Sequence, residues 1–322
     1  MQYTTLGRTE LRVSVAGLGG GGFSRLGLTA GKTEAEAARL VFEAIDLGVN
    51  FIDTAAAYGT EGVVGKALAS LQRNQVVIST KSTVRRGGER LAPPELIASL
   101  DNSLRVMGTE HIDVFNLHGV QLDDEYALNG LVPVLDAEKR KGKIRHIGVT
   151  EAAVVDHTNE MLKRALHDPA WEVFMVAFHM MHQIARTNVF AQTQAKGIGT
   201  LLMFAVRGIF ADPPRIAREI KELAAKGVVD PSLGATNDPF GFLIHEGGAS
   251  SLVEAAYRYA RHEPGVDVVL FGTGDADHLR TNVASLLKPP LPETDRAKLA
   301  SLFGHLTGVG LDDPRGPGPA RG

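Results

Sequence analysis

The sequence predicts a (β/α)8 barrel, also called a TIM barrel, on three observations. Eight short apolar or β-branched runs punctuate its 322 residues. Helical patterns lie between them, the alternation expected of parallel strand–loop–helix units. The runs are nearly continuous in apolar residues, as befits parallel strands covered on both faces, and the length suits a closed barrel with modest additions.

Taken in order, Tyr3–Leu6 and Leu11–Val13 flank GRTE and read as a small hairpin, placed to cap the bottom of the barrel. The first strand is VSVAGL (13–18), followed by a glycine-rich turn and then by TEAEAARLVFEAIDLG, whose apolar positions recur at helical spacing and which ends on glycine. VNFID (49–53) and QVVIST (75–80) are the second and third strands. PPELIASLDNSLRVMG is the next clear helix, with prolines at its start and Gly108 after its last turn. IDVFNL (112–117), IRHIGV (144–149), VFMVAF (173–178) and GTLLMF (199–204) continue the series, and VDVVLF (266–271) closes it. The longest interruption, 207–248, holds the helical pattern PPRIAREIKELAAKG and then a Gly/Asp/Pro-rich stretch, a length expected of a lid or binding segment. Residues 1–310 read as one domain, and 311–322, rich in Gly and Pro, as a mobile tail.

Composition narrows the function classes. A formal charge of −3 argues against a dedicated nucleic-acid binder. With no cysteine there is no disulfide framework, thiol nucleophile or cysteine-ligated metal. The N-terminus lacks the pattern of a secretory signal, and no run approaches the roughly 18–20 apolar residues that cross a bilayer. A cytoplasmic protein with no membrane partner is expected. Oligomeric state is not readable.

Four side chains in the first third of the chain carry the chemistry. Asp53 and Tyr58 follow the second strand, Lys81 ends the third and His118 the fourth. In a parallel barrel such residues meet at one rim, where they make a plausible proton-delivery set. Singly, each has a plainer reading: a helix cap for Asp53, a turn anchor for Tyr58, a surface cation for Lys81, a satisfied rim histidine for His118.

Six collinear motifs, LGRTELRVSVAGLG, GVNFIDTAAAYG with EGVVGKAL, ISTK, IDVFNLHG, KGKIRHIGVT and GTGDADHLRTN, resemble those of the aldo-keto reductase family. The resemblance implies an NAD(P)(H)-dependent oxidoreductase acting on a small carbonyl or alcohol, with a catalytic tetrad of Asp53, Tyr58, Lys81 and His118. Tyr58 is the implied proton donor. A free phenol, pKa about 10, holds its proton too firmly for exchange in both directions, so Lys81 is expected to lower it and Asp53 to hold the ammonium. His118 is expected to hydrogen-bond the substrate oxygen. Phe23, Tyr58 and His118 are the expected substrate contacts.

The resemblance also implies the cofactor contacts. Gly19, Gly20 and Gly21 belong to a turn near the nicotinamide, with Asp53 close by. Gly17 to Gly22 fit GxGxxG, but a loop rather than a helix follows, so this is not a Rossmann fingerprint. Arg207 and Gly208, after the seventh strand, match a backbone-lined pyrophosphate contact, and Phe204 at its end and Val206 beyond it are further expected cofactor contacts. Gly272, Thr273 and Gly274 precede a helix whose N-terminal amides are expected to bind phosphate, with Asn282 further along it. Several positions depart from the family pattern. Thr150 and Glu151 stand where Ser-Asn is common, and Glu151 brings a charge that needs a partner. Met175 and Phe178 replace a Gln and a stacking Tyr, Phe178 retaining a ring to present. His278 stands where many members carry Arg toward a 2′-phosphate, and Arg280 faces elsewhere. NADP(H) is therefore the family default, with NAD(H) or dual use open.

Two alternatives remain at this point: a nucleotide-binding regulatory subunit on the same barrel, and a metal-dependent hydrolase. The nearest metal candidate is the pair His179 and His182, without a full ligand spacing; no metal is expected. Substrate choice is assigned to the rim loops 21–33, 119–130 and 207–248, with Phe23, Leu26, Leu122, Tyr126, Phe210 and Phe240 as an apolar pocket mouth.

Overall fold

A computed structural model describes residues 1–311. The expected tail, apart from Leu311, lies outside the described residues. Eight parallel strands close into a barrel in chain order: β1 (Ala16–Gly19), β2 (Phe51–Asp53), β3 (Val77–Thr83), β4 (Ile112–Val120), β5 (Ile144–Glu151), β6 (Val173–Ala177), β7 (Gly199–Met203) and β8 (Val268–Phe271). Every strand expected from sequence is present. Around them run α1 (Glu34–Asp46), α2 (Glu61–Leu68), α3 (Pro93–Met107), α4 (Val132–Arg140), α5 (Glu160–Ala165), α6 (Ala191–Lys196), α7 (Pro213–Ala225), α8 (Leu252–Arg261), α9 (Ala276–Leu287) and α10 (Glu293–Phe303). None of these helices is long and apolar enough to cross a membrane.

Strand periodicity sorts the apolar residues into two cores. Phe51, Val77, Val114, Val173, Met175, Leu201 and Val268 point into the barrel. Phe115, Phe174, Val176 and Phe178 point outward, into the layer between strands and helices. The N-terminal hairpin, Tyr3–Thr5 paired with Arg12–Ser14, closes the bottom as expected. Its Leu6, Leu11 and Val13 plug the inner core. Arg8 ties the turn down, donating to the carbonyls of Pro169 and Trp171 at 2.8 Å and of Lys196 at 2.9 Å. With the bottom sealed, the open rim is the end where β1–β8 finish.

The 207–248 segment is more packed than a free lid. Ile216 and Ile220 of α7, with Val229, Phe240 and Leu243, are buried in the outer core. Among its described side chains, Arg207 and Gly208 line the rim cavity.

Candidate active site

Strand register brings the four expected side chains together. Gly19 of β1 pairs with Asp53 of β2, and Asp53 with Ser79 of β3. Two residues on, Lys81 pairs with Asn116 of β4, and Thr83 with His118. The β4–β5 ladder is irregular between Leu117 and Val120, and this bulge carries His118 at the rim. Tyr58 ends a short 3-10 turn, Ala56–Tyr58, terminated by Gly59 at φ 72°, a conformation that suits glycine.

The lysine is fully buried. It donates to Asp53 Oδ2 at 2.6 Å and to the Thr54 carbonyl at 2.8 Å. Asp53 Oδ1 accepts from Ser79 at 2.8 Å, and Ser79 accepts from Asn116 Nδ2 at 3.0 Å. Burial opposes the ammonium, but Asp53 and Tyr58 outweigh it and hold the Lys81 pKa above its ordinary value. Lys81 Nζ lies 5.0 Å from the Tyr58 ring centroid. The Tyr58 hydroxyl lies 3.3 Å from His118 Nε2, and the two rings meet edge to face. Burial raises the Tyr58 pKa; Lys81 pulls it back down without overcoming that rise. The expected lowering by Lys81 is thus present as a force but not as the net direction, because the phenol loses its water at the same time.

Two joined cavities flank this group. The smaller, about 290 Å3, is walled by Gly19, Gly21, Phe23 and Gly272, floored by Met175, Met203 and Leu270, and reaches Val206, Arg207 and Gly208. A Cβ on Gly21 would sit 2.7 Å from the Tyr58 ring, so only glycine leaves that wall open. The larger, about 480 Å3, contains His118, Thr150, Glu151, Val84 and Arg25. Tyr58, Met175 and Phe204 line both. The Arg207 guanidinium packs over the Phe204 ring at 4.0 Å and the Phe23 ring at 5.8 Å, linking the loops after β7 and β1. A glycine wall, an apolar floor and one guanidinium at the far end suit the flat ring and charged linker of a nicotinamide nucleotide.

Several expected contacts do not line either cavity. Gly20 faces Thr60, 2.6 Å from where its Cβ would sit, and serves close packing. Thr273, Gly274, His278 and Asn282 lie around the start of α9, outside both cavities. Asp275 caps that helix, its side chain accepting from the amides of Asp277 and His278 at 2.9 Å. Those amides were the expected phosphate donors, and an internal carboxylate already holds them. Arg280 is turned away, paired with Glu43 at 2.6 Å and Asp277 at 2.7 Å. Phe178 does not offer a ring to the site: it stacks on Tyr259 at 5.6 Å in the outer core. Of the expected pocket mouth only Phe23 lines the site. Leu26, Phe210 and Phe240 are buried, while Leu122 and Tyr126 line a separate surface depression.

Among the described residues no cation pairs with Glu151. Its Oε1 accepts from the Ala177 amide at 2.6 Å and its Oε2 from Asn159 Nδ2 at 2.8 Å. Burial dominates and pushes its pKa up to about 8, so the group is a neutral acid at neutral pH. Among the described residues Asn159 Oδ1 has no hydrogen-bond partner. Rotating that amide by half a turn makes Oδ1 the acceptor for the acid's O–H, an arrangement that matches the neutral form. His179 and His182 are buried near the site, with ring centroids 5.9 Å apart. Among the described residues no group of three or more His, Cys, Asp or Glu is placed to hold a metal ion.

The geometry has parallels among known proteins. The chain is 32% identical to L-galactose dehydrogenase of Arabidopsis thaliana over 47% of its length, a match that spans about half (48%) of that relative. It is 26% identical to the aldo-keto reductase YhdN of Bacillus subtilis over 98% of the chain and 97% of that protein. The NADH-specific methylglyoxal reductase of Escherichia coli is 32% identical, over 51% of the chain and 56% of its own length. Among solved structures, the holo form of aldo-keto reductase AKR11C1 from Bacillus halodurans superposes with a TM-score of 0.72 at 23% identity, covering 94% of this chain and 96% of that one, a likeness of fold. The model of the Aldo/keto reductase family matches residues 17–303, nearly the whole barrel, and the chain belongs to that family.

Proposed function

We propose that the chain is a nicotinamide-dependent oxidoreductase that reduces a small aldehyde or ketone, or oxidises the corresponding alcohol, with Tyr58 as the proton carrier. One observation supports this most directly. The Tyr58 hydroxyl stands where the two cavities meet, beside His118 Nε2 at 3.3 Å and next to the buried Lys81–Asp53 pair. A bound nicotinamide nucleotide supplies or accepts the hydride.

The side chains divide the remaining work. Reduction leaves negative charge on the substrate oxygen, and Tyr58 delivers a proton to it. Lys81 stabilises the phenolate left behind, and Asp53, Ser79 and Asn116 hold Lys81 in place. His118 hydrogen-bonds the substrate oxygen and fixes its distance from Tyr58. Met175, Met203 and Phe204 keep water from the reacting atoms.

The nucleotide is NADH as readily as NADPH. Around the start of α9, Arg280 is consumed by Glu43 and Asp277, and Asp275 places a carboxylate on the helix amides. A 2′-phosphate there meets His278 and two aspartates instead of a permanent cation. A relative matched over 56% of its own length is named as NADH-specific. Titration with both nucleotides, followed by turnover on a mixed carbonyl panel, tests the proposal. Comparable affinities with turnover support it; an NADPH affinity at least about tenfold tighter refutes the cofactor part, and no binding of either refutes the whole.

A further inference from the structure

The larger cavity holds a charge that the proton chemistry does not use. Arg25, in the loop between β1 and α1, lines that cavity together with Tyr58 and His118. Among the described residues its guanidinium makes no ion pair and no hydrogen bond. The other charged groups of the cavity are accounted for. Arg85 donates to Asp124 at 2.6 Å and pairs with Asp123. Glu151 keeps its proton up to about pH 8. With Glu151 neutral, Arg25 is the one charged group lining the cavity that pairs with none of the described residues.

The loop presents this side chain on a fixed turn. Arg25 and Leu26 both take left-handed backbone conformations, at φ 43° and 58°. For residues other than glycine such conformations are strained and persist only where the surroundings enforce them. Leu26 is fully buried, the Gly27 amide donates to the Ser24 carbonyl at 2.7 Å, and Thr29 Oγ1 donates to the Phe23 carbonyl at 2.7 Å. Lys32 clamps the far end of the loop to the Gly274 carbonyl at 2.5 Å.

We propose that Arg25 recognises a carboxylate on the substrate, making the preferred substrates short oxo acids: aldehydes or ketones that carry an ionised carboxyl group. This rests on the oxidoreductase reading above. Arginine's planar fork matches a carboxylate in two parallel hydrogen bonds. Val84, Ala153 and Val154 line the same cavity and suit a short methylene spacer between carboxylate and carbonyl. Hydride and proton add across the carbonyl, and the carboxylate leaves unchanged.

The test compares wild type, Arg25→Gln and Arg25→Lys on short ω-oxo acids and on their methyl esters. Wild type is expected to favour each acid over its ester by at least about tenfold in kcat/KM. Arg25→Gln lowers kcat/KM on the acids by about tenfold or more, through KM, and leaves the esters within about twofold. Arg25→Lys restores part of the loss, and affinity for NADH and NADPH is unchanged throughout. Equal losses on acid and ester, or a wild-type preference for the ester, overturn the proposal. Weakened nucleotide binding in Arg25→Gln also overturns it, and assigns the guanidinium to the nucleotide phosphates. If no carbonyl is turned over, the oxidoreductase reading fails by itself, and calorimetry with succinate and its diamide then decides the site. Succinate binding lost in Arg25→Gln supports a carboxylate site; no succinate binding to wild type removes it.

Discussion

Lys81 Nζ and Asp53 Oδ2 lie 2.6 Å apart with both side chains shut away from solvent. The pair sits directly beneath Tyr58, and its members come from adjacent strands, β2 and β3. A buried pair of this kind costs desolvation and is held by further partners, here Ser79 and the Thr54 carbonyl.

Removing one member leaves the other charge buried and alone. Asp53→Ala is expected to destabilise the fold by about 3–5 kcal/mol, measured by urea unfolding, with turnover lost as well. A loss below about 1 kcal/mol contradicts a buried ionic pair.

His118 should separate substrate chemistry from nucleotide binding. His118→Ala is expected to lower carbonyl kcat/KM by about a hundredfold while NADH and NADPH affinities stay within about twofold. Parallel loss of both undoes its assignment to the substrate oxygen.

Glu151 gives a pH signature in stability. Its folded pKa, about 8, lies above that of an unfolded carboxylate. Between the two values the folded chain keeps a proton that the unfolded chain has released, so stability falls as pH rises. Below that window and above about pH 8 the group adds no slope. Glu151→Gln has nothing to titrate and is expected to remove roughly 1.4 kcal/mol of slope per pH unit inside the window. Urea midpoints for both proteins across it check this, and identical slopes contradict a neutral Glu151.

The nucleotide preference should be movable at one position. His278 is exposed near the start of α9, and His278→Arg is expected to raise NADPH affinity over NADH by about tenfold, the worth of one charge-assisted hydrogen bond. Calorimetric titration reads it directly; an unchanged ratio places the 2′-phosphate elsewhere.

Legibility in the sequence followed the kind of signal. Strands appeared because each is a short apolar run between turn residues. Asp53, Lys81 and His118 appeared because each lies near the end of one, where barrel topology fixes the neighbours. The outward face of Phe178 is legible too: Met175 and Ala177 face inward, so a residue of opposite parity faces out. Asp275 is legible as a cap, an Asp just before a helical run, and its side chain does accept from the amides of Asp277 and His278. Arg25 left no trace, because its role depends on two left-handed residues in an irregular loop and on where the anions of a cavity find partners. Glu151 reads from sequence as a charge needing a partner; burial, visible only in the structure, makes it neutral.

The central claim is that Tyr58 carries the proton. Nicotinamide oxidation by wild type and Tyr58→Phe, on the same carbonyl and at saturating nucleotide, tests it most directly. The expected result is a fall in kcat of about a hundredfold or more, with NADH and NADPH still bound as in wild type. Turnover within a few-fold of wild type would contradict it and move the proton to another group at the rim.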